Sequence, residues 1–233
     1  MGILYIVATP IGNISDISLR AARTLLTAEI IACEDTRKTG ILLKEIAKLF
    51  SGYTERAKPK LLSYYDQTEV QKTPEIIQLL QLGKDVVLVS DAGTPTISDP
   101  GFKLVRECIA QGIEVKAIPG PSAAIAALSV SGLPTDRFLF VGYPPKKDGH
   151  RKEFWLEVQK AKEEFKTTLI LYEAPHRIVQ TIQEMIEIFG KDQHVVFARE
   201  LTKIYEQTLR GSLEEISNHF AKTEPKGEFV ILL

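Results

Sequence analysis

The sequence predicts an α/β protein of two domains, with a mainly parallel sheet in the first and a mixed sheet in the second. Three observations carry this. Short apolar runs alternate with amphipathic helical patterns as far as Ile118, the signature of βα units around a parallel sheet. The alternation breaks at Pro119-Gly120-Pro121. Beyond it the chain ends in strand-like runs separated by short turns, which suit antiparallel or mixed pairing. The expected domains are residues 1–117 and 118–233.

Each element follows from its own pattern. Leu4 to Ala8 is an apolar run without a basic leader, and reads as a first strand rather than a signal peptide. Asp16 to Leu26 sets Leu19, Ala22, Leu25 and Leu26 on one helical face. Ile30 to Cys33 is a short strand and Thr39 to Phe50 a helix. Leu61 to Tyr64 reads as a short strand, and Thr73 to Leu82 as a helix. Val86 to Val89, all apolar and rich in valine, is a buried strand. A helix over Phe102–Gln111 and a strand over Val115–Ile118 complete the first series.

A helix of small residues is expected between Pro121 and Gly132, then a strand over Phe138–Val141. Pro144 to Glu153, PPKKDGHRKE, is a charged connection. A helix over Phe154–Glu164, a strand over Leu169–Tyr172 and a helix over Ile178–Phe189 follow. Strands over Val195–Ala198, Ile204–Leu209 and Phe229–Leu232 close the chain.

Composition bounds the function. The 233 residues are 44% hydrophobic and 25% charged, ordinary for a globular protein. No stretch approaches the ~20 apolar residues of a membrane span. The formal net charge of −1 argues against a uniformly basic coat, so any attraction for nucleic acid must come from local patches. Cys33 and Cys108 are the only cysteines and have no metal-ligand spacing, which predicts buried free thiols in a reducing cytoplasm. No His, Cys or carboxylate grouping has zinc spacing, so no metal is expected. No nucleophile-elbow pattern suggests covalent catalysis.

Chemistry-bearing residues collect where strands end. Val86 to Gly101, VVLVSDAGTPTISDPG, runs from a strand into a loop holding Asp91, Gly93, Thr94, Pro95, Ile97, Asp99 and Gly101. Ligands of open α/β sheets bind outside the carboxyl ends of strands. The competing reading is an ordinary βα turn with Asp91 and Asp99 as local caps. VATPIGN, Val7 to Asn13, matches neither the GxGxxG nor the P-loop pattern, so a ligand without phosphate fits it better. ACEDTRKTG crowds Glu34, Asp35, Arg37 and Lys38 at a strand end. That is either a polar substrate site or a helix start capped by Asp35 and Thr36. In PGPSA, Ser122 and Pro121 suit the first turn of a helix. YEAPHRI and ARELTKIYE follow strands of the second half, where His176 and Arg177 either bind RNA phosphate or orient a carboxylate, the competing reading being a helix-start histidine on an ordinary surface.

Taken in this order, LYIVATPIGN, ACEDTR, LVSDAGTPTISDPG, IPGPSAAIAALSVSGLPTDRF, YEAPHRI, ARELTKIYE and KGEFVILL resemble the tetrapyrrole methylase superfamily of S-adenosylmethionine-dependent methyltransferases. They are most similar to its ribosomal RNA branch, the small-subunit methyltransferase I group. The resemblance runs from Leu4 to about Leu232. It implies the tetrapyrrole methylase fold of two αβα domains, S-adenosylmethionine in the cleft between them, and a homodimer in the cytoplasm. It implies 2′-O-methylation of a decoding-region cytidine of 16S rRNA. Pro10 and Ile11 should border the cofactor, and Asp91, Gly93, Thr94 and Ile97 should form its main loop. Ser122 and Ala123 should meet it at a helix start, and Tyr172, Ala198 and Arg199 should close it. Longer members carry a small further C-terminal domain that helps grip RNA, whereas this sequence ends at Leu233.

A ribose hydroxyl is a poor nucleophile, so a base should assist its methylation. Glu34, Asp35 and Glu200 are the candidates for it. Arg37, Arg199 and Lys203 are candidates to orient the substrate or lower its hydroxyl pKa. Arg37, Lys38, Lys146, Lys147, Arg151 and Lys152 are the expected RNA-facing cations. Two other functions compete: methylation of a tetrapyrrole or other small molecule, and a binding module that has lost the chemistry. The porphyrin-precursor branch has a GxGxGD loop where this chain has Thr9 to Asn13, which favours RNA.

Overall fold

The structure, a computed structural model, describes residues 1–50 and 58–233. They form two compact units, Met1–Ser122 and Ala123–Leu233. The division falls after the PGPS loop rather than at the last strand of the first series.

In the first unit, β1 (Leu4–Val7), β2 (Ile30–Cys33), β3 (Lys60–Ser63), β4 (Val86–Val89) and β5 (Val115–Ile118) form one parallel sheet in the order β3-β2-β4-β1-β5. The helices are α1 (Leu19–Thr27), α2 (Thr36–Leu49), α3 (Glu69–Gln81) and α4 (Phe102–Ala110). Side chains alternate across a strand, and β4 shows it. Val86 and Leu88 join Ile76, Leu80, Leu104 and Cys108 of α3 and α4. Val87 and Val89 join Ala22, Leu25 and Ile46 of α1 and α2. The sheet is therefore covered on both faces. Neighbouring strands β1 and β4 send their helices, α1 and α4, to opposite faces. Such a switch point opens a ligand crevice at the carboxyl end of an α/β sheet.

Several boundaries differ from expectation for local reasons. The first helix is split into a 3-10 turn at Ile14–Asp16 and α1, which begins after the Ser18 cap. Asp35 accepts the Arg37 amide at 2.8 Å, so α2 starts at Thr36 rather than Thr39. Helix α3 starts at Glu69 rather than Thr73 and carries Pro74 in its interior.

The second unit has α5 (Ala123–Ser131), β6 (Phe138–Phe140), α6 (Asp148–Phe165), β7 (Thr168–Glu173), α7 (Ile178–Phe189), β8 (His194–Arg199), β9 (Gln207–Ser212), α8 (Leu213–Phe220) and β10 (Phe229–Leu232). Its sheet order is β6-β7-β10-β8-β9. Only β6 and β7 pair in parallel, so the sheet is mixed. Trp155 and Val158 of α6, Ile182 and Met185 of α7, and Ile216 and Phe220 of α8 bury one face against Leu169, Leu171, Phe197, Phe229 and Ile231. Helix α5 packs against β7, β8 and β10.

Helix α8 was not expected. Its start is marked by a capping box, in which Ser212 and Glu215 exchange side-chain and backbone hydrogen bonds. Strand β9 begins at Gln207, not Ile204, because Ile204 and Tyr205 are 95% and 73% exposed. Helix α6 begins six residues ahead of the expected Phe154, at Asp148, so the second half of PPKKDGHRKE is helical. Cys33 and Cys108 are buried free thiols. Among the described residues no helix is long and apolar enough to cross a membrane, and no group of His, Cys, Asp and Glu could hold a metal ion.

Candidate functional site

In the first unit, the loops after β1, β4 and β5 are hydrogen-bonded to one another. Thr9 is wholly buried. Its amide donates to the Gly93 carbonyl at 2.8 Å, and the Gly93 amide donates back to Thr9 at 3.1 Å. The Thr94 hydroxyl donates to the Pro121 carbonyl at 3.1 Å. Gly93 has φ +81°, and a Cβ there would stand 3.4 Å from Ile11 and 3.9 Å from the Pro121 carbonyl. A side chain would be strained by that φ and would fill the narrow space between the loops. These contacts bring together Ile11, Gly93, Thr94 and Pro121, with Pro10 and Ser122 adjacent in the chain. Ile97 follows in the same loop, 45% exposed.

A charged cluster stands at the ends of β2 and β4. Asp91 accepts the Asp35 amide at 3.1 Å and pairs with Lys38 at 2.7 Å. Arg37 folds back on Asp35 at 2.8 Å. With Glu34, Thr36, Ser63 and Tyr65, residues Asp35, Arg37 and Asp91 line a cavity of about 420 Å³. The Arg37 hydrogen bonds hold the Asp35 carboxyl well below the usual carboxylate range. Burial, aided by the Asp91 charge, pushes the Glu34 carboxyl up. Burial also raises Asp99 to about 6; the Ser90 hydrogen bond opposes this, and the charges of Glu34, Asp91 and Asp66 add to it. Asp35 is thus a fixed anion, while burial makes Glu34 and Asp99 more basic than an ordinary carboxylate, the direction that favours a general base. Sequence reasoning gave Asp99 no role beyond a local cap. Its place in the DAGTPTISDPG loop was the available signal.

The second unit gathers other residues. The Tyr172 hydroxyl accepts the Ala124 amide at 3.1 Å, which sets it beside the start of α5 at Ala123. The Tyr172 ring meets Phe140 and Tyr143 edge-on at 4.8 and 5.6 Å. Ala198 is buried in β8, and Arg199 donates to the Lys226 carbonyl at 2.6 Å. Glu200, at φ +50°, accepts from Lys203 at 2.8 Å and from the Glu228 amide at 3.0 Å. Lys203 also reaches Glu228 at 2.9 Å. Burial alone would raise the Glu200 carboxyl, but Lys203 and the Glu228 amide outweigh it and hold it low. Glu200 and Lys203 therefore clamp their own loop.

The expectation that Arg151 faces RNA is corrected by its burial, and of the two roles open to Arg177 the structure takes the one that orients a carboxylate. Arg151 is 2% exposed and holds Glu184 at 2.7 Å, Thr181 at 2.8 Å and the Pro145 carbonyl at 2.9 Å. Arg177 pairs with the fully buried Glu173 at 2.6 Å and donates to the Pro144 carbonyl at 3.0 Å. Both are consumed internally, because a buried carboxylate needs a partner more than a surface does. Lys146, Lys147, Lys152 and His176 remain exposed.

The sequence profile of the Tetrapyrrole (Corrin/Porphyrin) Methylases matches residues 3–217. A Ribosomal RNA small subunit methyltransferase I from Synechocystis sp. is 46% identical over 233 residues, covering 100% of this chain and 79% of that protein. Its counterpart from Thermotoga maritima is 41% identical, covering 100% of this chain and 98% of that protein. Among solved structures, the uroporphyrin-III C-methyl transferase of Thermus thermophilus complexed with S-adenyl homocysteine matches 99% of this chain and 97% of its own. The TM-score is 0.64 at 19% identity, a likeness of fold.

Proposed function

Because the chain belongs to the tetrapyrrole (corrin/porphyrin) methylase family, we propose that it methylates the 2′-oxygen of a cytidine ribose in the decoding region of 16S rRNA. It is an S-adenosylmethionine-dependent rRNA methyltransferase. The observation that carries the reading is the mutual hydrogen bonding of the Thr9, Gly93 and Pro121 loops at the β1/β4 switch point. Those loops offer backbone and small side chains close to carboxylates. That suits a cationic sulfonium ligand better than a phosphate.

Pro10, Ile11, Asp91, Gly93, Thr94, Ile97 and Ser122 are the residues of the first unit proposed to hold S-adenosylmethionine. When bound, it supplies an electrophilic methyl group. The protein's task is then alignment: reacting atoms must come within roughly 3–3.5 Å, and orientation can supply ~7–11 kcal/mol. Glu34 is the proposed base that takes the ribose hydroxyl proton, with Arg37 positioning the substrate. Asp35, already an anion bound by Arg37, holds Arg37 in place.

The test is transfer of a labelled methyl group from S-adenosylmethionine to purified small ribosomal subunits, with the product nucleotide mapped. A 2′-O-methylcytidine, recognised by its resistance to alkaline hydrolysis, is expected. Label on a base, or on no rRNA nucleotide, overturns the reading. The protein is further proposed to act in the cytoplasm as a homodimer, and a monomer mass by light scattering at micromolar concentration would refute the dimer.

A further inference from the structure

The loop from Asp91 to Gly101 is strained and must be held from outside. Gly93, Thr96, Ser98 and Gly101 have φ of 81, 73, 61 and 131°. The left-handed region is unfavourable for a non-glycine residue, so Thr96 and Ser98 persist only where surrounding contacts enforce them. At its leading end the loop is fixed by the Thr9–Gly93 bridge and the Thr94–Pro121 bond. Its trailing end runs into α4, whose N-cap is Gly101. That position excludes a side chain: a Cβ on Gly101 would lie 2.6 Å from Leu88 and 3.0 Å from Thr96. Glycine has no side-chain oxygen with which to cap the helix, so the cap comes from elsewhere.

It comes from Glu69, at the start of α3. The side chain is 7% exposed. One carboxylate oxygen accepts the Gly101 amide at 3.0 Å and the Lys103 amide at 3.4 Å. The same oxygen accepts the hydroxyl of Tyr64, itself 1% exposed, at 3.3 Å. The other oxygen pairs with the Lys103 ammonium at 3.0 Å. A carboxylate at a helix N-terminus meets both the free amides and the positive end of the helix dipole. Burial works to raise this carboxyl, but Lys103 and the two amides outweigh it and hold it low, so it remains an anion. Glu69 lies outside every motif that points to the ligand.

We propose that Glu69 is a positioning residue for the cofactor, fixing the trailing end of the 91–101 loop by capping α4 in place of Gly101. The inference rests on the reading that this loop holds S-adenosylmethionine. Removing the carboxylate releases the loop while every residue proposed to touch the ligand keeps its own side chain.

The experiment measures S-adenosylhomocysteine affinity by calorimetry for the parent chain, Glu69→Ala and Glu69→Gln. Ile46→Val, a core change on the opposite face of the same sheet, controls for general destabilisation. Glu69→Ala should raise Kd at least tenfold. Glu69→Gln, which keeps one acceptor oxygen and loses the charge, should fall between. Ile46→Val should stay within twofold of the parent. In methyl transfer, KM for S-adenosylmethionine should rise in the Glu69 variants with kcat nearly retained at saturation. A merely structural role would not give that split. Hydrogen exchange should show lost protection at the Gly101 and Lys103 amides with β4 still protected. If Glu69→Ala does not fold, Glu69→Gln carries the test through the same Kd and exchange readings. Affinity within twofold of the parent in every folded Glu69 variant overturns the inference alone. A parent chain that binds no S-adenosylhomocysteine overturns the cofactor reading, and this inference with it.

Discussion

The strand-end motifs of the two units are equally rich in chemical side chains, yet the structure uses them differently. In the first unit Thr9, Gly93, Thr94 and Pro121 bond to each other through backbone groups and two hydroxyls, and the carboxylates of Glu34, Asp35 and Asp91 line an open cavity. In the second, the charges of YEAPHRI turn inward: Glu173 is fully buried between Arg177 and Arg151. The charges of ARELTKIYE close on Glu228. A charged residue at a strand end is free to meet a ligand only when the fold has not already claimed it. The first unit ties the loops after β1, β4 and β5 mainly with the main chain, and its charged side chains pair with one another at an open cavity. The second ties its loops with side chains.

The largest test of this contrast is kinetic. Glu34→Gln should lower kcat by roughly 10²–10⁴-fold, the usual contribution of a general base, with cofactor affinity unchanged. Because burial raises the Glu34 carboxyl, the parent rate should climb as pH rises through that raised pKa, and the variant should lose that dependence. Glu200→Gln should keep most of kcat and instead loosen the 200–206 loop. Single-turnover rates decide it, and the reverse ranking of the two variants would move the chemistry to the second unit.

The next effect is thermodynamic. Glu173→Ala leaves Arg151, 2% exposed, and Arg177, 12% exposed, without their shared carboxylate. Breaking a buried pair this way costs about 3–5 kcal/mol. Urea unfolding should show that loss in the transition of the second unit. A change below about 1 kcal/mol, the range of surface pairs, would mean that the network does not tie the unit together.

Much of the first unit was legible because its signals are local and repeated. Apolar runs such as Val86 to Val89 occupy central strands, and Ala22, Leu25 and Leu26 of α1 are buried as their spacing required, whereas Leu19 at the helix start is exposed. The second unit was harder to read for physical reasons. Ile204 and Tyr205 have the composition of a strand but stand in solvent, which displaced β9. Helix α8 is short, and its capping box at Ser212 and Glu215 was hidden within a strand-rich stretch. Arg151 resembled a surface cation because nothing nearby in sequence reveals Glu173, Thr181 and Glu184, which reach it from β7 and α7. Asp99 gave no sign of its perturbation for the same reason, since Glu34 and Asp66 approach it only in the fold.

Asp99 supplies a third, smaller test, confined to the first unit. Its folded pKa, about 6, lies above the usual aspartate value of about 3.9. The folded state thus binds this proton more tightly than the unfolded chain. Its contribution to stability is fully present below about pH 4 and is lost as pH rises through 6. Asp99→Asn should therefore be more stable than the parent above pH 6, with the advantage vanishing toward pH 4. Melting temperatures across that range measure it. An advantage that grows on acidification would contradict the burial of this carboxyl.

The smallest expected effect concerns the cations that the fold leaves over in the second unit. With Arg151 and Arg177 engaged internally, Lys146 and Lys147 are the exposed bases ahead of α6. The Pro144 and Pro145 carbonyls before them are gripped by those two arginines. The structural network of this unit thus presents the lysines proposed to meet RNA. Each phosphate contact on a single strand contributes about 0.7 to the slope of log affinity against log salt. Lys146→Glu with Lys147→Glu should flatten that slope by about 1.4 if both lysines contact phosphate. It should reduce methylation of small subunits at moderate salt and leave cofactor affinity unchanged. The double variant keeps Arg151, Glu173 and Glu184, so its melting temperature should match the parent. An unchanged salt slope would remove this loop from the RNA-binding surface and leave recognition to the first unit. There Lys38 is paired with Asp91 and Arg37 with Asp35, so the contrast between the units would then extend to substrate binding as well.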